Sequence, residues 1–316
     1  MGDVKPNGKL LEMFLEDAKL RGWSTWAIKS SDYTLRMFFG QIGKSCMDVD
    51  MDDLRKYLVF LQDRPGVMGR NKPAYATIKK HIDNLASFYQ YLEFEDLVLK
   101  SPIPKFRARY VLPLSAAKGS DIPRQIISVG QMSQLVSNTV DPQEKAIICL
   151  LAKTGMRAGE LIAMDLNDID WEKQSIKLKP TGKRTNLTVF FDNECGKVLK
   201  RWLSARQTLV GTKACSVFVI PANGHRINHT FVIRVIERNA ARLGLHDENS
   251  SDLSKRFTPH CCRHWFTTHM RKGGMPREYI KELRGDTRGE TIDIYDHIDM
   301  EELRAAYMEC VPKLGV

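Results

Sequence analysis

The chain has 316 residues, of which 43% are hydrophobic and 27% charged, and its formal net charge is +10 at pH 7. This length and apolar content suffice for one large or two ordinary globular domains, which excludes a disordered tail. The basic excess favours a polyanionic partner, because each lysine or arginine set against a phosphate releases condensed counterions.

Two further features indicate the compartment. No apolar run approaches the roughly 18 residues that a membrane span needs, and the charged start from Met1 to Lys9 lacks the apolar core of a signal peptide. The seven cysteines form no C-x-x-C pair, so we expect small buried residues rather than disulfides. We therefore predict a cytoplasmic protein that contacts no membrane.

A metal site is not expected. His260 and His264 are spaced i, i+4 around two cysteines, which superficially suggests a metal-binding helix. The glutamate and the third ligand of a zinc enzyme are missing, however. We therefore predict no metal and no cofactor.

The first third of the chain is predicted to be helical. From about Leu10 to Leu99, apolar residues recur at spacings of three and four, the pattern of amphipathic helices. We predict an all-α N-terminal domain over residues 1–103. Four prolines then surround the basic run Lys105–Tyr110, and neither a helix nor a central strand tolerates this pattern comfortably. We predict an irregular basic linker over residues 104–125.

The remainder, residues 126–316, is predicted to be a mixed, mainly α domain with a small antiparallel sheet. Glu144–Thr154 has the composition of a buried helix, and Ser175–Phe191 alternates strand-like residues across a Pro-Thr-Gly turn, which predicts a hairpin. Thr230–Leu243 and Pro259–Lys272 have helical periodicity.

Three separated segments carry residues suited to phosphate chemistry. They are Thr154–Leu161, which contains Arg157, then His260-Cys261-Cys262-Arg263, and finally Ile294-Tyr295-Asp296-His297. An arginine presents a planar fork that matches two phosphate oxygens, so Arg157 and Arg263 can clamp one phosphodiester. His260 and Arg263 are spaced i, i+3 and share one helix face. Tyr295 can then attack the phosphorus, although a tyrosine taken alone is most often a packing residue of an amphipathic helix, and only the other motifs single it out.

In their order and spacing these motifs resemble those of the tyrosine recombinases, the phage-integrase family, over most of the chain. The amino-acid sequence of Arg284–Asp299 resembles that of archaeal mobile-element or Xer-like integrases. The resemblance implies that the front helices form a core-binding domain, which with the catalytic domain clamps double-stranded DNA. It also implies a DNA strand transferase in which Tyr295 forms a 3'-phosphotyrosyl bond without metal or ATP.

The resemblance assigns further roles. Arg157, His260 and Arg263 would stabilise the pentacoordinate transition state, and Glu160 would orient a cation. The family protonates the leaving 5'-oxygen with a lysine on a hairpin, for which this chain offers Lys179 and Lys183. Pro180 makes the alignment ambiguous, and we favour Lys179.

One position departs from the family pattern. Where the family usually has Gly-His or Gly-Trp before the nucleophile, this chain has Gly285-Asp286. An aspartate does not donate to phosphate unless it is protonated. Three alternatives stay open: Asp286 accepts the Tyr295 proton, orients an arginine such as Arg284 or Arg288, or points away.

Partners and rival functions complete the expectations. Candidate DNA contacts are Lys183, Arg107 and Arg109, together with Arg234 and Arg238 in the predicted helix Thr230–Leu243. The apolar stripe Met300, Leu303, Tyr307 and Val311 predicts a C-terminal helix. That helix either packs on its own domain or docks on a neighbouring protomer, as in the family's tetramers. The rival functions are a type IB topoisomerase and a non-catalytic DNA-binding regulator.

Overall fold

A computed structural model describes residues 7–65, 72–116, 125–181, 184–211, 215–220, 226–250, 252–286 and 298–316. The chain divides into two compact units, Met1–Asp121 and Ile122–Val316. Each has a hydrophobic core of its own. Among the described residues, no helix combines the length and the apolar character that crossing a membrane requires.

The first unit is helical, as predicted for its Leu10–Leu99 segment. Its longer helices are α1 (Asn7–Leu20), α2 (Thr25–Ile42), α3 (Met51–Asp63) and α4 (Tyr75–Phe94). Inward-facing aromatic side chains fill the core, with Phe14 edge-on to Phe88 at 5.5 Å and Phe38 edge-on to Tyr57 at 4.9 Å between ring centroids. The apolar residues that recur every three or four positions in the sequence therefore form the buried face of each helix.

The segment predicted as an irregular linker is helical over residues 104–116, which corrects the expectation of irregular structure there. It forms α5 (Ile103–Phe106), a π-helical turn (Arg107–Val111) and α6 (Leu112–Ala116). Pro104 lies in the first turn of α5, where its missing N–H has no intrahelical partner to lose. Phe106 and Val111 of this segment, and Ile103 just before it, are buried in the core of the first unit, and their burial favours an ordered helix.

The second unit is built around helix α8 (Pro142–Thr154). In the part of this unit that the structure describes, the other α-helices are α7 (Val129–Asn138), α9 (Ala158–Ala163), α10 (Asn193–Val210), α11 (His229–Ala241), α12 (Pro259–Lys272), α13 (Arg277–Arg284) and α14 (Met300–Cys310). Every residue of α8 from Ala146 to Thr154 is buried, and α10 and α12 pack against it. A helix that is apolar on all sides belongs in the centre of a domain. The predicted buried helix is confirmed.

A small antiparallel sheet lies in the second unit, in the order β1 (Ile169–Asp170), β2 (Ser175–Lys177), β3 (Thr188–Phe190). Ile176 of β2 pairs with Ile169 on one side and Val189 on the other. The predicted hairpin is thus confirmed, with shorter strands than expected. Strand β1 was not predicted because two residues are too few to show a period.

Helix α14 packs within its own unit. Leu303, Tyr307 and Val311 are buried in a cluster that includes Phe266 and Met270 of α12. Three of the four residues of the apolar stripe are therefore covered within the unit, while Met300 is 38% exposed. Burial raises the pKa of the Tyr307 hydroxyl well above its ordinary value, and this hydroxyl donates to the carbonyl oxygen of Lys153.

Candidate active site

A tight turn between α8 and α9 presents Arg157. Helix α8 ends at Thr154 and is capped by Gly155, whose φ of 62° lies in the left-handed region. A Cβ on Gly155 would lie 2.4 Å from Cδ1 of Phe266, so only glycine fits. The carbonyl oxygen of Gly155 accepts a hydrogen bond from Nη1 of Arg263 at 2.7 Å. The same turn therefore places Arg157 and holds Arg263.

Glu160 is almost fully buried beneath Arg157, with 3% of its side chain exposed. Its Oε1 accepts from Nη1 of Arg157 at 3.1 Å, and its Oε2 accepts from the backbone N–H of Arg157 at 2.7 Å. These contacts match the predicted role of orienting a cation.

Arg263 lies in α12 with only 4% of its side chain exposed. Its Nη2 donates to the carbonyl oxygen of Arg284 and to Oδ1 of Asp286, both at 2.9 Å. Burial, with Arg157 and Arg284 nearby, lowers the pKa of Arg263 to about 10. The guanidinium is therefore still charged at neutral pH.

His260 stands one turn before Arg263 on the same helix, as predicted, and is exposed. Its ring meets that of His264 edge to face, with 4.7 Å between centroids. Tyr295 and His297 lie outside the described residues.

Asp286 is surrounded by arginines. Its Oδ1 lies 2.9 Å from Nη2 of Arg263 and 3.4 Å from Nη2 of Arg157, while its Oδ2 lies 2.9 Å from Nε of Arg284. About a third of its side chain, 32%, is exposed. The side chain of Asp286 therefore points into the arginine cluster and not away from it.

Sequence reasoning missed Arg184. Its side chain is fully buried, and its Nη1 donates to Oε2 of Glu160 at 3.1 Å. Burial, and the charge of Arg157, lower its pKa against the opposing effect of Glu160. In the sequence it follows Lys183 in a hairpin and resembles a solvated charge, and no periodic signal distinguishes it.

The favoured general acid, Lys179, is engaged elsewhere. Its Nζ lies 2.7 Å from Oδ1 of Asp168 and 3.3 Å from Oδ2 of Asp165. The hydrogen bond to Asp168, with that to Asp165, raises its pKa. The structure thus brings Arg157, Arg263 and Asp286 together but pairs Lys179 with aspartates. Its rival Lys183 lies outside the described residues.

The other candidate DNA contacts lie on both units. In the first unit Arg107 pairs with Asp83 at 3.1 Å, and the guanidinium of Arg109 lies over a neighbouring tyrosine ring. On α11 of the second unit, Arg234 is exposed and Arg238 pairs with a glutamate of α8.

Comparison with known proteins gives one consistent result. Residues 126–302 match the profile of the phage integrase family. The chain is 29% identical over 199 residues to the tyrosine recombinase XerC of Corynebacterium glutamicum, a match that covers 61% of this chain and 60% of that protein. It is 25% identical over 316 residues to the tyrosine recombinase XerA of Saccharolobus solfataricus, covering 98% of this chain and 96% of the relative.

A solved structure shares the fold. The Tn1549 transposon integrase, in complex with circular intermediate DNA, superposes with a TM-score of 0.65 at 18% identity. The superposition covers 94% of this chain and 98% of the integrase chain.

Proposed function

The chain belongs to the phage integrase family, and we propose that it is a site-specific recombinase that cuts and rejoins duplex DNA through Tyr295. One observation carries the proposal beyond family membership. The guanidinium groups of Arg157 and Arg263 converge on a single anionic oxygen, Oδ1 of Asp286, at 3.4 and 2.9 Å. A pair of arginines arranged in this way can hold a phosphate oxygen.

The chemistry follows from charge. A phenol with a pKa near 10 is only about one part in a thousand ionised at pH 7, so Tyr295 needs stabilisation of the developing negative charge. Arg157 and Arg263, held by Glu160 and by backbone carbonyls, supply fixed positive charge where the phosphorane-like state forms. His260, on the same helix as Arg263, adds a third donor.

The free-energy change of strand exchange is close to zero. Attack by the Tyr295 oxygen forms a 3'-phosphotyrosyl bond, breaks the bond to the 5'-oxygen and releases a 5'-hydroxyl. A 5'-hydroxyl from another strand reverses these steps and restores both the phosphodiester and Tyr295. Because one phosphoester replaces another, the reaction needs no ATP.

The 5'-oxygen leaves with a proton, and the proposal keeps Lys179 as its donor with Lys183 as the rival. Lys179 would first have to release Asp168 and Asp165 to reach the leaving oxygen. A substrate with sulfur in place of the leaving oxygen separates the two lysines, because a thiolate leaves without a proton. Only the variant of the true donor, Lys179→Met or Lys183→Met, should regain a near wild-type cleavage rate on that substrate.

The principal test is covalent trapping. Wild-type protein is incubated with nicked duplexes carrying candidate sites, and protein–DNA bands that survive denaturation are counted. We expect a band from wild type and none from Tyr295→Phe. Tyr307→Phe is the matched control, because it removes a hydroxyl that is buried and bonded to the carbonyl oxygen of Lys153, and it should keep the band.

The same assay discriminates among the functions. Tight DNA binding without a band on any duplex would reject the recombinase and favour a DNA-binding regulator. A band accompanied by supercoil relaxation, without exchange between paired sites, would favour a type IB topoisomerase.

Assembly and DNA contact belong to the proposal as well. Exchange between two duplexes requires four strand cleavages, so we propose four protomers on two paired sites. Arg107, Arg109, Lys183, Arg234 and Arg238 are the proposed contacts to DNA. Replacing any one of them by a neutral residue should remove about one phosphate contact. The slope of the logarithm of DNA affinity against the logarithm of salt concentration should then become shallower by about one.

A further inference from the structure

We infer that Arg184 is a positioning residue of the strand-transfer site, because it ties Arg157 to the backbone that holds Arg263. The inference rests on the proposed function, since it concerns how the two phosphate-binding arginines are held. Arg184 itself is buried under the cluster, with no exposed side-chain surface, and acts through its neighbours.

Two shared acceptors make the link. Oε2 of Glu160 accepts from Nη1 of Arg184 at 3.1 Å, while Oε1 of the same carboxylate accepts from Arg157. The carbonyl oxygen of Arg284 accepts from Nη1 of Arg184 at 3.0 Å and from Nη2 of Arg263 at 2.9 Å. One buried guanidinium is therefore joined through a single acceptor to each of the two arginines.

Arg184 also fixes the backbone after α13. Its Nη2 donates to the carbonyl oxygen of Leu283 at 2.6 Å, and it bonds the carbonyl oxygen of Asn186 through Nε. The carbonyls of Leu283 and Arg284 are the last of α13 and lack intrahelical partners, and Arg184 supplies both with donors. The backbone that carries Asp286 is thus attached to the hairpin between β2 and β3.

Gly285 packs directly against the side chain of Arg184 and leaves no space for a Cβ. Its φ is 60°, and a Cβ there would lie 2.3 Å from Cγ and 2.9 Å from Nε of Arg184. Glycine is required at this position both by the left-handed backbone and by the side chain that lies against it. The conformation of Gly285 and Asp286 therefore depends on the packing of Arg184 against Gly285.

The energetics favour a functional role over a purely structural one. Removing a guanidinium from water is costly, and an apolar side chain of similar volume often stabilises a core as well as a buried ion pair does. Here burial lowers the pKa of Arg184, so its charge is kept at a cost. An apolar replacement would fill the volume but leave Glu160 and three carbonyls without these donors.

The experiment compares Arg184→Met with Arg206→Met. Arg206 is a buried arginine of the same unit, whose guanidinium donates to the carbonyl oxygens of Cys215 and Val217 instead of to the site. DNA affinity and single-turnover cleavage of nicked DNA are measured at saturating protein. We expect Arg184→Met to bind DNA nearly as wild type but to cleave about 100-fold more slowly, as for a misplacement of about 1 Å. Arg206→Met should cleave at the wild-type rate.

Arg184→Lys should restore part of the rate, because an ammonium can still pair with Glu160 but cannot reach all the carbonyls at once. Equal cleavage rates for Arg184→Met and Arg206→Met would overturn the inference. If Arg184→Met does not fold, Gly285→Ala and Arg184→Lys decide: slowed cleavage with retained binding supports it, and wild-type rates overturn it. The wild-type reaction is the reference, since absence of its own covalent product would reject the proposed function instead.

Discussion

Asp286 places a carboxylate where the arginine pair can otherwise hold a phosphate. It lies within 2.9 Å of Arg263 and 3.4 Å of Arg157. Two anions about 4 Å apart repel by roughly 1 kcal/mol in water and about 4 kcal/mol near a protein surface. DNA binding therefore works against the charge of Asp286, which at the same time compensates the buried Arg263.

These two effects predict opposite changes in Asp286→Asn. DNA affinity should rise by about tenfold at low salt, corresponding to about 1.4 kcal/mol, while the melting temperature of the free protein should fall. Fluorescence anisotropy and thermal unfolding measure the two quantities. Glu309→Gln makes the same change in net charge on the exposed side of α14 and serves as the control. Unchanged or weaker binding by Asp286→Asn relative to that control would contradict the prediction.

Site residues could be predicted from the sequence where they belong to a short, recognisable motif. Arg157 and Arg263 were predicted because they occupy short motifs, and the structure brings them to one oxygen of Asp286. Arg184 was missed because its partners Glu160 and Leu283 are 24 and 99 residues away. Nothing local distinguishes a buried arginine of this kind from a solvated one.

Gly155 shows how one element depends on another. Its left-handed φ alone costs a substituent about 1–2 kcal/mol, and contact with Phe266 adds an overpacking cost of about 1–3 kcal/mol. Gly155→Ala should therefore destabilise the protein more than Gly244→Ala, whose φ is 68° with no atom within 4 Å of the added Cβ. Thermal unfolding compares the two variants.

The same substitution should also slow cleavage, because the carbonyl oxygen of Gly155 holds Arg263. In a Phe266→Leu background the additional cost of Gly155→Ala should shrink. Equal destabilisation by Gly155→Ala and Gly244→Ala would show that crowding at the end of α8 is unimportant.

Elements were predictable where a period spans several turns or strands. The hairpin Ser175–Phe191 and the helix Pro259–Lys272 follow their patterns. The prolines of residues 104–125 predicted irregular structure, but Pro104 falls in a first helical turn and the apolar residues around it reach the core. The burial of apolar side chains in the core made that segment helical, and proline content does not predict such burial.

At the scale of the second unit, a buried charge cluster fastens the chain end. Nζ of Lys153, in the buried part of α8, lies 2.7 Å from carboxylate oxygens of Asp192 and Glu194 and 2.6 Å from the carbonyl oxygen of Pro312. Burial lowers the pKa of Lys153, but Asp192 and Glu194 outweigh it and the net pKa is raised. The lysine therefore stays charged and holds α8, α10 and the tail together.

Glu194 makes this attachment sensitive to acid. Its carboxylate accepts the N–H groups of Leu314 and Gly315, each at 2.8 Å. Burial pushes its pKa up, but these N–H groups and Lys153 pull more strongly, so the pKa lies below its ordinary value. A carboxyl whose pKa is lower in the attached state stabilises that state above its ordinary pKa of about 4.3, and the stabilisation is lost as the pH falls through the lowered pKa.

We therefore expect the tail to be protected at pH 7 and to loosen in acid below pH of about 4. Hydrogen exchange at the amides of Leu314 and Gly315, corrected for the intrinsic pH dependence of exchange, measures the protection. Glu194→Gln should show reduced protection already at pH 7, whereas Glu309→Gln should behave as wild type at every pH. Protection that is equal at pH 7 and pH 3, or unaffected by Glu194→Gln, would mean that apolar packing of Leu314, which is 3% exposed, fastens the tail without the carboxylate.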